Sequence, residues 1–182
     1  MEGFLIGWGL GIAGCTLAAI LWSIAVPSRR IWPPQRYGPL TLLLVWGPTY
    51  ALFGIIIALG ILGWGELEIA TWLRYAVGIA MIVLSNVAVW YEVSHFGIAQ
   101  TSGAEGTLRT AGLYRYSRNP QYVADTIMIL GWCLLSAASG TMIVGMAGII
   151  VLLVAPFAEE SWMRERYGSN YDAYASRVRR FL

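Results

Sequence analysis

The stretch that decides the fold is QYVADTIMILGWCLLSAASGTMIVGMAGIIVLLVAPFA, residues 121–158. It consists of two apolar runs, Gln121–Ala138 and Thr141–Ala158, with a small-residue break at Ser139–Gly140. Each run approaches the roughly 20 apolar residues that a helix needs to cross a bilayer. A break this short joins antiparallel neighbours, so the pair reads as a transmembrane hairpin, one helix out and one helix back. Two polar stretches flank it: GTLRTAGLYRYSRNPQY, residues 106–122, and EESWMRERYGSNYDAYASRVRR, residues 159–180. The hairpin returns the second stretch to the membrane face of the first. Arg118 and Asn119 are therefore predicted to lie near Glu159 and Glu160, giving a fixed cation and two carboxylates on one face.

Three further spans precede the hairpin: Phe4–Val26, Leu40–Gly63 and Ile69–Trp90. The first reads as a span and not a cleaved leader, because only Met1, Glu2 and Gly3 precede it and its apolar run is too long. The expected fold class is all-α, a polytopic membrane protein of about five transmembrane helices with a C-terminal interfacial helical segment. One domain, residues 1–182, is expected: 1–90 holds three helices and 91–182 holds the polar motifs with helices four and five.

Composition agrees. Of the 182 residues, 58% are hydrophobic and 12% charged, against roughly 25% charged in soluble domains. Mean hydropathy is +0.63. Net charge is only +2. These values exclude a disordered chain, a secreted disulfide scaffold and a nucleic-acid binder working through a strong basic field. Every basic residue is Arg, and their placement alternates from loop to loop. Arg29, Arg30 and Arg36 follow the first span; Arg109, Arg115 and Arg118 follow the third; Arg164, Arg166, Arg177, Arg179 and Arg180 follow the fifth. The other connections have none. Basic loops favour the cytoplasm, so the N-terminus is expected outside and the C-terminus inside, as in a prokaryotic inner-membrane protein.

Several residues have structural readings. Arg74, one turn inside helix three, is expected to snorkel to the outer surface. Gly3, Gly7 and Gly11 are spaced for close helix packing, within the chain or between chains. The Trp and Tyr residues suit interfacial belts. Cys15 and Cys133 read as inert core thiols buried in lipid-embedded helices, and no metal site is expected because zinc-ligand spacing is absent. His95 reads as a packed or interfacial histidine at the end of helix three. Residues 91–107 are expected to form a re-entrant or surface piece bordering substrate entry.

The polar stretches carry the candidate chemistry. Pro120 suits a helix's first turn and Asn119 its cap. Pro156 interrupts the helix pattern one turn before the two glutamates. Paired carboxylates beside a membrane are costly unless solvated, counter-charged or used. Trp162, Tyr167, Tyr171, Tyr174 and Val178 recur near helical spacing among arginines, the pattern of an interface-lying helix, with an interruption expected at Gly168–Ser169.

These motifs resemble those of the membrane methyltransferases that include isoprenylcysteine carboxyl methyltransferase and the phosphatidylethanolamine N-methyltransferases. The family's Thr-x-Gly-x-Tyr element is matched by Thr110, Gly112 and Tyr114. Its Arg-His-Pro-x-Tyr-x-Gly signature is matched by Arg118, Pro120 and Tyr122, with Asn119 for His and Ala124 for Gly. Glu159 and Glu160 match the acidic motif, and Tyr167, Gly168, Tyr171, Tyr174, Val178, Arg180 and Phe181 match the tail. The resemblance implies S-adenosylmethionine (SAM) as methyl donor, bound by Gly112, Tyr114, Arg118, Asn119, Tyr122, Glu159, Glu160 and Tyr167. Arg118 suits the donor's carboxylate, either glutamate its ammonium or ribose hydroxyls, and a tyrosine its adenine or sulfonium. Asn119 can make hydrogen bonds but cannot do acid–base work. The acceptor implied is a lipophilic or membrane-associated carboxylate, amine or thiol. For a carboxylate acceptor, Arg164 or Arg115 is the orienting cation, and Arg164 is the expected catalytic residue. The partners expected are this acceptor and the membrane, not nucleic acid. A similar arginine motif and tyrosine tail occur in NADPH-dependent membrane sterol reductases, which are longer chains. A non-enzymatic membrane scaffold is the third alternative.

Overall fold

The computed structural model describes residues 1–34, 38–96 and 107–182. Among them every regular element is helical. Helix α1 is Glu2–Ala25, α2 is Pro39–Leu62 and α3 is Ile79–Phe96, entered through a π turn at Leu73–Gly78. Helix α4 is Pro120–Ser136, α5 is Ser139–Tyr167 and α6 is Ser169–Ala175. Three helical stretches are long and apolar enough to cross a membrane: α1, Leu73–Tyr91 and α5. Helix α2 contributes the shorter apolar stretch Trp46–Leu62, and the 17 residues of α4 extend about 26 Å. The chain is an all-α integral membrane protein. Arg36 and residues 97–106, part of the piece expected to border substrate entry, lie outside the described residues, as does the side chain of His95.

The hairpin of α4 and α5 is the centre. Helices α1 and α2 pack on α5, and α3 packs on α4. Ile129 and Cys133 from α4, Val144 and Ile149 from α5, Ile56 and Leu59 from α2, and Ala13 and Ile20 from α1 form the core. Bilayer lipid covers the rest, which is why Phe4, Leu43 and Leu84 stand exposed.

Three expectations are corrected here. The glycine stripe Gly3, Gly7 and Gly11 makes no close packing within the described chain: a Cβ at any of them would meet nothing within 4 Å among the described residues. The close approach on α1 is made by Gly9, on the opposite face, where a Cβ would stand 2.6 Å from Val144 Cγ1. Cys15 is exposed, whereas Cys133 is buried. Arg74 does not reach for solvent. Its guanidinium donates to Leu135 O at 3.0 and 3.1 Å and to Ser136 O at 3.2 Å, and it lies 5.6 Å from the Trp64 ring centre. Those carbonyls end α4 without intrahelical partners, so they draw in a cation.

The same connection completes the hairpin corner. Gly65 N–H donates to Ser136 O at 2.7 Å and Leu67 N–H to Ala137 O at 2.8 Å. Glu66 accepts from the Ser139 N–H at 2.9 Å and the Ser139 hydroxyl at 2.8 Å, capping α5 from outside that helix. The aromatic belt is likewise incomplete as a reading: Trp132 turns inward and donates to Ile56 O at 3.0 Å.

Helix α5 is also longer than expected. It passes Ala158 and continues to Tyr167, so the glutamates lie inside a helix and not at its end. Twenty residues from Ser139 cover about 30 Å, the hydrocarbon thickness. Glu159 therefore falls at the far membrane boundary, and the last turns stand clear of the lipid. The helix stops at Gly168, whose φ of +53° suits glycine.

The Ser139 N–H and hydroxyl hold the Glu66 carboxyl below its ordinary value of 4.5. Its contribution is therefore complete above pH 4.5 and lost as pH falls through the lowered value. Melting in detergent should show Glu66→Gln less stable than the unmodified protein at neutral pH. The gap should close on acidification below the ordinary carboxylate range. A gap that persists at the lowest pH would show that the carboxylate is not what caps α5.

Candidate functional site

The site begins at the corner before α4. Ser117 is buried; its hydroxyl accepts the Asn119 N–H at 3.1 Å and donates to Arg180 O at 3.3 Å. Arg118 N–H donates to Arg179 O at 2.9 Å, and the Asn119 amide donates to Arg180 O at 2.9 Å. The chain's last residues are thus laid across the corner. Asn119 occupies the N-cap position of α4, but its side chain makes no capping bond. The expected cap is replaced because the amide is drawn to the tail carbonyl. Pro120 meanwhile removes one of the donors a cap would satisfy.

The predicted juxtaposition is present. Arg118 Nη1 stands 3.1 Å from Glu160 Oε1. Arg180 grips the same carboxylate with both ends of its fork, Nε to Oε1 at 2.6 Å and Nη2 to Oε2 at 3.0 Å. Arg164 Nη2 approaches Oε2 at 3.8 Å. Glu160 has only 8% of its side chain exposed, so this triple neutralisation is what makes its burial tolerable. Arg180 also lies 3.9 Å from the Phe157 ring centre.

Glu159 is treated differently. Its Oε1 accepts from Trp32 Nε1–H at 2.8 Å and from the Tyr122 hydroxyl in a short bond. Both donors are neutral, and no arginine pairs with it among the described residues. The two adjacent acids thus differ in their surroundings: one is counter-charged by arginines, the other is held by two neutral hydrogen-bond donors.

The tail closes this end of the site. Tyr171 and Tyr174, on α6, are buried with their rings 6.3 Å apart. Arg118 Nη1 lies 3.3 Å from the Tyr171 hydroxyl, and the Tyr174 hydroxyl donates to Tyr114 O at 2.6 Å. Burial pushes the Tyr171 hydroxyl above its ordinary value, with the Glu160 charge adding to it. Burial pushes the Tyr174 hydroxyl to about 12. Both stay protonated at neutral pH; the Tyr171 hydroxyl accepts from Arg118 and the Tyr174 hydroxyl donates. Both contacts of Arg118 use Nη1, whereas its Nε is buried without a partner.

These groups open on a cavity of about 1040 Å³. Of the expected residues, Tyr114, Arg118, Asn119, Tyr122, Glu159, Glu160 and Tyr167 line it. Gly112 does not; with φ of +64° it starts the turn Gly112–Arg115 that presents Tyr114. Arg164, expected to orient an acceptor, is also absent from the wall. It is 51% exposed and paired to Asp172 at 3.3 Å. Arg115 lies against Tyr116 instead, 5.3 Å from its ring centre.

Sequence reasoning missed Trp32, which comes from the loop after α1 and has no motif around it. It also missed Asp125, although a lone acid in an apolar helix is a legible signal.

Helices that span a bilayer, around a cavity walled by charged and aromatic side chains, define an integral membrane protein. A family model described as phospholipid methyltransferase matches residues 73–170, more than half of the chain. The chain belongs to that family. No curated protein and no solved structure matches it.

Replacing Glu160 with Gln would leave Arg118 and Arg180 facing each other without their shared counter-charge. Loss of one partner from a buried pair costs about 3–5 kcal/mol. Unfolding in detergent should show Glu160→Gln destabilised on that scale, and Glu159→Gln much less so.

Proposed function

We propose that this protein transfers a methyl group from SAM to a lipophilic acceptor at the cytoplasmic membrane boundary. The observation that carries the proposal is Arg118. One end of its guanidinium is fixed by Glu160 and Tyr171, while Nε is buried and unpartnered on the cavity wall. A free guanidinium edge in a partly dry site is a two-pronged receptor for a carboxylate, and SAM carries one. The start of α4 beside it adds the positive end of a helix dipole.

The rest of the wall fits the remaining groups. Glu159, lacking a basic partner, suits the ammonium or the sulfonium. Tyr114, Tyr122 and Tyr167 offer aromatic faces for adenine or for the positive charge. Bound there, SAM would supply a methyl group on a good leaving sulfur, open to in-line displacement. The protein's task is then alignment and exclusion of water, which supply roughly 7–11 kcal/mol in such reactions. Asn119 holds the tail in place and does no proton chemistry.

The acceptor's route is supported by the other wall of the cavity. It runs along α1 from Gly3 to Ile20 and includes Leu44 and Phe53 of α2. Phe4 and Trp8 on that wall are 68% and 58% exposed, so the cavity opens sideways to lipid. Entry of the donor from water and of the acceptor from the bilayer fits this shape.

Two measurements test the proposal. Arg118→Lys keeps a positive charge for Glu160 but lacks the fork, so SAM affinity should fall about tenfold or more while the protein stays folded. Unchanged affinity would remove the basis for the assignment. Orientation follows the arginine count: a reporter fused after Leu182 should be cytoplasmic and one before Met1 external, and the reverse would place the cavity on the wrong side for a cytosolic donor.

A further inference from the structure

Trp32 lies outside the segment that the family model matches, residues 73–170, yet it lines the cavity and reaches the acid pair on α5. Its indole N–H donates to Glu159 Oε1 at 2.8 Å, and the Tyr122 hydroxyl donates to the same oxygen. The other oxygen, Oε2, has no hydrogen bond or ion pair among the described residues, and it is not one of the buried polar atoms that lack a partner. It is therefore open to the cavity that Glu159 lines. Two donors on one oxygen fix the rotation of the carboxyl group and leave its second oxygen to a ligand.

The loop after α1 is tied so as to deliver that indole. The buried Ser23 hydroxyl donates to Ala19 O at 2.7 Å and accepts the Ile31 N–H at 2.9 Å and the Trp32 N–H at 3.0 Å. Arg30 Nη1 pairs with Glu165 Oε2 at 2.9 Å, and its Nε donates to Pro33 O at 3.2 Å. The loop is thus held once to α1 and once to α5, and Trp32 makes a second attachment to α5 at Glu159, about 9 Å along the helix from Glu165. An indole held this way loses little further freedom on meeting the carboxyl group.

The choice of acceptor sets Trp32 apart. Trp22 and Trp132 spend their indole N–H on backbone carbonyls, Arg29 O and Ile56 O, whereas Trp32 spends its own on an acid of the cavity wall. The indole is a neutral group that only donates. It orients the carboxyl group without bringing a cation that would compete with a ligand, unlike the guanidiniums on Glu160.

We infer that Trp32 is a positioning residue of the donor site: with Tyr122 it occupies one oxygen of Glu159 and so aims the other at the cationic part of the bound donor. The inference rests on the methyltransferase reading above. It makes the first half of the chain part of the donor site, because an acid on α5 is set by a residue between α1 and α2. Trp32 acts on the donor only through Glu159.

The test measures SAM affinity by isothermal titration calorimetry on the full chain in nanodiscs. Trp32→Phe keeps an aromatic ring and removes the N–H, and affinity should fall about tenfold. Glu159→Ala should lower it at least as much. In the double variant the Trp32 change should add less than about twofold, because the group it orients is gone. A merely structural role of Trp32 would multiply the two losses, to about a hundredfold. Trp22→Phe breaks another bond of the same loop away from the cavity wall and should leave affinity within about twofold. Should either single variant not fold, benzothienylalanine at position 32, an isostere that lacks the N–H, and Glu159→Leu complete the same cycle. Affinity unchanged by loss of the Trp32 N–H, losses that multiply, or an equal loss in Trp22→Phe overturns the assignment and leaves the methyltransferase reading standing. A protein that binds no SAM defeats that reading, and the assignment with it.

Discussion

The rest of the site depends on one carboxylate. Glu160 receives Arg118 from the corner before α4, Arg164 from the next turn of its own helix and Arg180 from the last residues of the chain. Three elements distant in sequence meet at one charge. An acid buried at a membrane boundary would otherwise carry a heavy desolvation penalty, so the folded chain must bring the arginines to it. That requirement fixes the tail over the corner, and the hydrogen bonds from the Arg118 N–H, the Ser117 hydroxyl and the Asn119 side-chain amide to the Arg179 and Arg180 carbonyls then follow. The surplus is positive, because one carboxylate faces three guanidiniums. A cavity beginning beside them accordingly offers a place for an anion at that end.

The opposite end of the hairpin is secured by different physics. There the helix ends expose carbonyls and N–H groups that lipid cannot satisfy. The α2–α3 connection supplies donors from Gly65, Leu67 and Arg74 and an acceptor from Glu66. Each end of the hairpin is therefore closed by chain from elsewhere. Helices α4 and α5 form a frame, and the cavity develops between that frame and the outer faces of α1 and α2.

The fold was largely legible in the sequence because lipid imposes simple rules. Apolar length gave the spans, and the short break at Ser139–Gly140 gave the hairpin. The hairpin alone put Arg118 beside Glu160. What could not be read were contacts that depend on which face of a helix turns inward. Gly3, Gly7 and Gly11 have the spacing of a packing stripe, yet it is Gly9 that meets Val144, because hydropathy is nearly uniform around α1 and does not mark its inner face. Arg74 looked like a residue reaching for water, and the unpaired carbonyls of α4 were the nearer partner. Trp32 was invisible for a different reason: its role rests on a long-range bond to Glu159, and nothing local announces it. Arg164 was chosen for its charge, and the helix turns that charge outward.

The glutamate pair shows why motif and mechanism must be argued separately. A matched Glu-Glu motif suggests two equivalent ligands for a cationic donor. In the folded chain Glu160 is consumed by arginines and Glu159 is held by Trp32 and Tyr122. Adjacent residues on a helix point about 100° apart, so one reaches the tail and the other turns toward the loop after α1. The electrostatic consequence is a gradient along the cavity wall, from the guanidinium of Arg118 to the carboxyl groups of Glu159 and Asp125, which have no basic partner among the described residues. On the proposed reading a donor with a carboxylate at one end and a sulfonium further along would lie down this gradient in a single direction, with its methyl group toward the lipid-facing part of the cavity. On that reading the order of polar groups along α4 and α5 sets the direction in which the methyl group is presented.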